Sequence, residues 1–185
     1  GQNKIYGAVE FHKRFDKTCG INTNALVGII DNIDGLKQIS AERIWSEMKQ
    51  IIVGNNAART MYEMGELGVL DIIGFSWHPY MQICVAQCHE RGITDPANVL
   101  GFTLDPVQIF DIAKRWKLSN VERDRAIWIS QWLEHGYSTT DLKWFLVMKN
   151  EPNIVYDLAR FAENEDLEML MNWEIPVFPV NGHDM

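Results

Sequence analysis

The chain has 185 residues, 46% of them hydrophobic, enough to bury the core of one globular domain or of two small ones sharing a helix, which excludes a disordered or fibrous protein. Its net charge of −8 would oppose a nucleic-acid partner if evenly spread, but seven acids against Arg160 alone fall between residues 151 and 174, leaving −2 for the rest. Apolar runs span only a few residues, no basic-then-apolar leader opens the chain, and Cys19, Cys84 and Cys88 form no spaced framework, so a membrane span and a disulfide scaffold are excluded.

Those features read as a soluble intracellular protein of a reducing compartment, with mitochondrial, nuclear and cytosolic locations all open. In chain order, Ile5, Val9, Phe11 and Phe15 suggest a helix over 4–15, with a turn at Cys19-Gly20. Thr23 or Asn24 caps a second helix through Ile33, closed by Asp34-Gly35. The clearest helix follows: Ser40 as cap, Glu42 at the positive helix end, and Ile44, Trp45, Met48, Ile51 and Ile52 at helical spacing until Gly54. Glu42, Arg43, Glu47 and Lys49 are left on its outer face, where Arg43 and Glu47 stand four apart and can pair.

A helix from Ala57 stops at Gly65 or runs raggedly to Gly68, and 69–73 is a buried strand or loop. Pro79 suits the first turn of a helix reaching His89, and Asp105-Pro106 opens another. Ser119 and Glu122 form a capping box for the helix 120–135, which Gly136 ends. Thr140 or Asp141 starts the next, Pro152 another, and a last runs over 165–173 before the extended, proline-bounded 176–179. The sum is an all-α fold, a multi-helical bundle of about eight or nine helices with short links. Most of the seven tryptophans sit at helical spacing beside aliphatics and are read as core.

Two basic clusters, Lys13 with Arg14 and Lys17, and Lys114 with Arg115 and Lys117, are RNA-binding candidates; a solvated face is the plainer reading. The sharpest metal constellation is His78, Cys84, Cys88 and His89. Cys84 and Cys88 share a helix face, but His89 points about a hundred degrees away, so two buried thiols and no metal are expected. The carboxylate pairs Glu122/Asp124 and Glu163/Glu165 stand two apart, do not face each other on a helix, and are read as solvated. His183-Asp184 has no nucleophile beside it. The residues alone show no active site.

The stretch LKQISAERIWSEMKQIIVGN at 36–55 resembles the neck of the eukaryotic CCA-adding enzymes, the tRNA nucleotidyltransferases that build the tRNA 3′ end. Residues 64–74, 117–122 and 173–184 (WEIPVFPVNGHD) resemble, in order, the following neck segment, a body helix start and the beginning of the tail. The resemblance implies a helical neck over 1–75, a body over 76–174 and the extended start of a truncated tail over 175–185. It gives Ser40, Glu42 and Arg43 a supporting role beside the nucleotide site, and tRNA or another structured RNA as partner.

The family's catalytic head, with its Asp-x-Asp metal carboxylates that use Mg with CTP or ATP, has no counterpart in these residues. The Glu-Asp-x-x-Arg segment that reads the incoming nucleotide falls at or before Gly1, where Gln2-Asn3-Lys4 does not match it. Two functions follow from the resemblance. One is the tRNA-binding neck and body of a CCA-adding enzyme, not catalytic by itself and served by a head-containing subunit or segment. The alternative is a degenerate, non-catalytic relative acting as a structural subunit of a larger RNA or ribonucleoprotein assembly.

Overall fold

The computed structural model describes residues 23–149 and 151–175, and within them every regular element is helical. The expected helix over 4–15, the clusters at Lys13, Arg14 and Lys17, and the extended 176–179 lie outside the described residues. The all-α expectation holds, with more elements than predicted: eleven α-helices and one 3-10 helix among the described residues. In order these are α1 (Thr23–Asn32), the 3-10 helix (Ile33–Gln38), α2 (Ala41–Ile51), α3 (Ala57–Glu66), α4 (Val69–Ile73) and α5 (Pro79–Glu90). Then come α6 (Pro96–Thr103), α7 (Pro106–Trp116), α8 (Asn120–His135), α9 (Thr139–Lys149), α10 (Pro152–Phe161) and α11 (Leu167–Met171).

The differences from expectation have local causes. Asp34-Gly35 does not close α1; the chain tightens there into the 3-10 helix, whose Leu36 is buried. Helix α2 ends at Ile51 rather than Gly54, with Gly54 donating back to the Ile51 carbonyl. Residues 69–73 are neither strand nor loop but α4, one turn held between Gly68 (φ 70°) and Gly74 (φ 88°), left-handed conformations that glycine adopts without the Cβ penalty. Helix α6 lies in a run for which the spacing predicted no element, although Asp95-Pro96 is the same signature as Asp105-Pro106. The Asp95 carboxylate accepts from the Ala97 and Asn98 N–H groups, at 2.9 and 3.2 Å.

The chain divides into two compact units, Gly1–Glu134 and His135–Met185. In the first, α2 packs on α3 and α7, α5 on α3 and α6, and α6 on α7, around Met61, Leu70, Ile109 and Trp116, all fully buried. Predicted caps hold at α7, where Asp105 also forms a reciprocal box with Gln108, and at α8 through Ser119 and Glu122; at α5 Pro79 opens the first turn as predicted, and the cap is His78, whose Nδ1 accepts from the Tyr80 N–H.

In the second unit α10 packs between α9 and α11. The start of α9 is capped not by Thr140 or Asp141 alone but by a box in which Ser138 and Asp141 exchange bonds; the Ser138 N–H and hydroxyl hold the Asp141 carboxyl below its ordinary range. Tyr137 donates its hydroxyl to the Leu158 carbonyl at 2.8 Å, and burial pushes that phenol up to about 12. The last helix is shorter than predicted, five residues at Leu167–Met171.

Candidate functional site

The chemistry-bearing residues of the first unit gather where α2 meets the end of α7 and the start of α8. The junction rests on an aromatic stack. Trp116 lies between Trp45 and Phe75, with ring centroids at 6.0 and 5.8 Å, and Trp77 continues the row 6.5 Å beyond Phe75. Trp116 is wholly buried, and its Nε1–H donates to the Ile73 carbonyl at 2.7 Å. Arg115 donates to the neighbouring Ile72 carbonyl at 2.7 Å. Two of the carbonyls that the end of α4 leaves without helical partners are thus satisfied by α7, one of them by a cation, as the helix dipole favours.

Above the stack lies an open groove lined by Glu42, Trp45, Ser46, Lys49, Gln50, Lys117, Ser119 and Glu122. Glu122 is its centre. One carboxylate oxygen accepts from the Ser119 N–H and hydroxyl at 2.9 and 2.8 Å, completing the α8 cap. The other accepts from Lys49 Nζ at 2.9 Å and Trp45 Nε1 at 3.1 Å. Burial alone would push this carboxyl up, but the donors from Lys49, Ser119 and Trp45 outweigh it and hold the group down at about 2. The reading of Glu122 as solvated is therefore corrected: its side chain is 24% exposed and tied to another helix, whereas Asp124 is open to solvent beside Arg123. Glu163 and Glu165 are exposed, as expected. Lys49 also lies over the Trp45 ring, 5.1 Å from its centroid.

At the other edge of the groove Glu42 meets Lys117 at 2.7 Å, both well exposed. The Lys117 ammonium, helped by the Glu42 backbone N–H and the Ser40 hydroxyl, lowers the Glu42 carboxyl below its ordinary range. Two residues singled out for different reasons, nucleotide-site support and RNA binding, are therefore direct partners. Ser40 is the N-cap residue of α2 by backbone geometry, its carbonyl accepting from Arg43 and Ile44, but its side chain makes no cap bond. That part of the expectation is corrected. Arg43 lies apart, at an apolar crevice with Leu36, Ile39, Ile44 and Met48. Lys114 is exposed on α7, and Lys13 and Arg14 fall outside the described residues.

The sequence missed the roles of Trp45 and Lys49 at Glu122, because nothing local to residue 122 marks partners on α2. The junction offers the ammonium groups of Lys49 and Lys117 to a ligand, with the Trp45 ring buried beneath them. Among the described residues no group of three His, Cys, Asp or Glu side chains could hold a metal ion. His78 caps α5, and Cys84 and Cys88 are buried free thiols, with burial raising Cys84 above its ordinary range. No helix among the described residues is long and apolar enough to cross a membrane.

Glu122 makes a pH-dependent contribution. Its folded pKa lies below the unfolded value of 4.5, so the stability it contributes is present above about 4.5 and is lost as pH falls toward about 2. Glu122→Gln should cost about 1.5–3 kcal/mol at pH 7, with the gap to the parent protein narrowing in urea titrations as pH falls from roughly 5 to roughly 3. Parallel acid limbs for the two proteins would remove Glu122 from this role.

The family model described as "Probable RNA and SrmB- binding site of polymerase A" matches residues 21–76, which include α1 to α4. The chain is 28% identical over 204 residues to the human protein "CCA tRNA nucleotidyltransferase 1, mitochondrial", covering 98% of this chain and 44% of that protein. The zebrafish (Danio rerio) protein of the same name is 28% identical over 174 residues, covering 86% of this chain and 40% of the relative. The chain thus spans less than half the length of these relatives. Motif, family match and relatives agree: over most of its length the chain is similar to the neck and body region of the CCA-adding tRNA nucleotidyltransferases.

Proposed function

We infer that the chain is the tRNA-docking neck and body of a CCA-adding enzyme, acting in tRNA 3′ processing, with nucleotide transfer from CTP and ATP on Mg performed by a head that it supports. The observation that carries this reading is the RNA-binding family match over 21–76, which includes the α2 start. Residues 1–75 form the neck in this reading, 76–174 the body and 175–185 the start of the tail. Ser40, Glu42 and Arg43 stiffen the first turn of α2 against the head. Lys13, Arg14, Lys114, Arg115 and Lys117 provide phosphate contacts, Lys117 by exchanging Glu42 for a phosphate oxygen. The mitochondrial names of the relatives and two free buried cysteines favour a reducing mitochondrial setting.

The reading is tested by fluorescence anisotropy with labelled tRNA over a salt series. Binding should weaken steeply with salt, and Lys114→Glu with Lys117→Glu should reduce the salt slope by about 2 and the affinity by about ten-fold or more. No association at low salt would overturn it. The acidic excess of 151–174 favours the second reading, a non-catalytic structural subunit of a ribonucleoprotein. Restored CCA addition when a separately produced head is mixed with this chain would decide for the first.

A further inference from the structure

The second unit carries an exposed apolar surface away in sequence from the basic clusters proposed to meet RNA. On α9, Trp144, Val147 and Met148 fall at i, i+3 and i+4, on one helix face, and are 58%, 42% and 61% exposed. Trp144 is fixed edge-on against the buried ring of Phe145, with centroids at 5.5 Å, so its exposed indole is held in place.

The segment after α11 touches this helix at Lys143. Thr139, at the start of α9, donates to the Asp166 carboxylate just before α11, and Lys143 lies over the Trp173 ring at 5.7 Å. One further turn along α9 stands Val147, and two residues beyond Trp173 stands Ile175, 50% exposed. Met169 and Met171 of α11 are also exposed.

The charge of this unit is net negative. Over 135–175 eight acids stand against three bases, Lys143, Lys149 and Arg160. Glu168 beside Met169 and Glu174 beside Ile175 are exposed. On a unit with this excess of carboxylates, exposed tryptophan and methionine make a poor face for a phosphate backbone and a complementary one for a cationic polypeptide with apolar anchors: the thioethers adapt to its side chains, and the net negative charge attracts it.

We propose that the Trp144–Val147–Met148 face of α9 docks a basic amphipathic helix of a partner protein. The partner's apolar stripe covers the indole and Met148, and its flanking lysines or arginines meet Glu168 and Glu174.

The test uses the full chain and, as probe, a fluorescein-labelled leucine/lysine amphipathic helix about five turns long, with its leucine/glutamate counterpart as control. Saturable anisotropy is expected with the cationic probe only. Trp144→Ser with Met148→Ser should weaken it by at least about ten-fold, because buried aromatic anchors dominate such interfaces. Both side chains are exposed, so circular dichroism and the urea midpoint should not move. Glu168→Gln with Glu174→Gln should weaken binding at low salt and reduce its salt dependence. Equal affinity in the Trp144/Met148 variant would overturn the proposal, leaving charge attraction alone. So would displacement of the probe by tRNA, or a Trp144-dependent dimer in sedimentation, which would assign the face to RNA or to a second copy.

Discussion

Trp116→Ala should destabilise the protein by about 3–5 kcal/mol, the range for truncating a buried aromatic residue. Three losses coincide at this position. The side chain is wholly buried, so its removal leaves a cavity among α2, α4 and α7. It is the middle ring of the stack, so Trp45 and Phe75 each lose a face. Its Nε1–H is a donor to the Ile73 carbonyl, and a buried acceptor left alone costs about 1–3 kcal/mol. Trp116→Phe separates these terms, since it keeps a ring in the stack and removes only the donor and part of the volume. Urea unfolding measures both. A loss below about 1 kcal/mol for the alanine variant, less than one buried hydrogen bond is worth, would mean that the stack does not join α2 to α7.

Gly101→Val should be similarly damaging, for the opposite reason. Gly101 sits inside α6, where glycine is unfavourable by about 0.5–1 kcal/mol relative to alanine. Helix propensity alone would make Gly101→Ala stabilising. The structure reverses the sign: a Cβ at this position would lie 2.7 Å from the Ala126 carbonyl oxygen and 2.8 Å from the Ile129 Cβ of α8. Neither atom is the end of a flexible chain, so the helices must separate, at a cost of about 1–3 kcal/mol and sometimes more. Separation also pulls on the Arg125–Asp95 ion pair, 2.6 Å long, which ties α8 to the cap of α6. Alanine should therefore be net destabilising by about 1 kcal/mol and valine by about 3 kcal/mol, as judged from propensity against overpacking. Thermal unfolding in which the alanine variant gains stability would show that α6 and α8 do not approach this closely.

What could be read from the sequence was what is written within one turn of chain. The capping box at Ser119/Glu122, the Asp105 cap, the proline starts at Pro79, Pro106 and Pro152, and the stripe of Trp45, Met48 and Ile51 all rest on residues within about one turn of each other. Helix α4 was not legible because five apolar residues between glycines carry no period, and packing on the 3-10 helix decided it. Helix α6 could have been found from Asp95-Pro96, but its residues from Ala97 to Phe102 are buried all round and show no polar face. At the candidate site Glu42 and Lys117 were each marked, one by resemblance and one by charge. Their meeting was not, because 75 positions separate them. Glu122 reads from the sequence as a cap and a solvated carboxylate for the same reason: its second set of partners lies 73 and 77 positions away.

That separation in the chain has a consequence for how the protein is made. Helix α2 is synthesised early, yet Trp45 and Lys49 acquire their hydrogen-bond partner only once residue 122 has been added. At roughly 5–20 residues per second this leaves α2 for several seconds with its α7- and α8-facing side incomplete. The elements made in between, α3 to α6, contact α2 or one another and can assemble during that interval. The last turn of α7 and the first of α8 then act as the closing stitch of the first unit. A nascent chain arrested before residue 116 has emerged from the ribosome would expose the indole of Trp45, and one arrested after residue 122 has emerged would not.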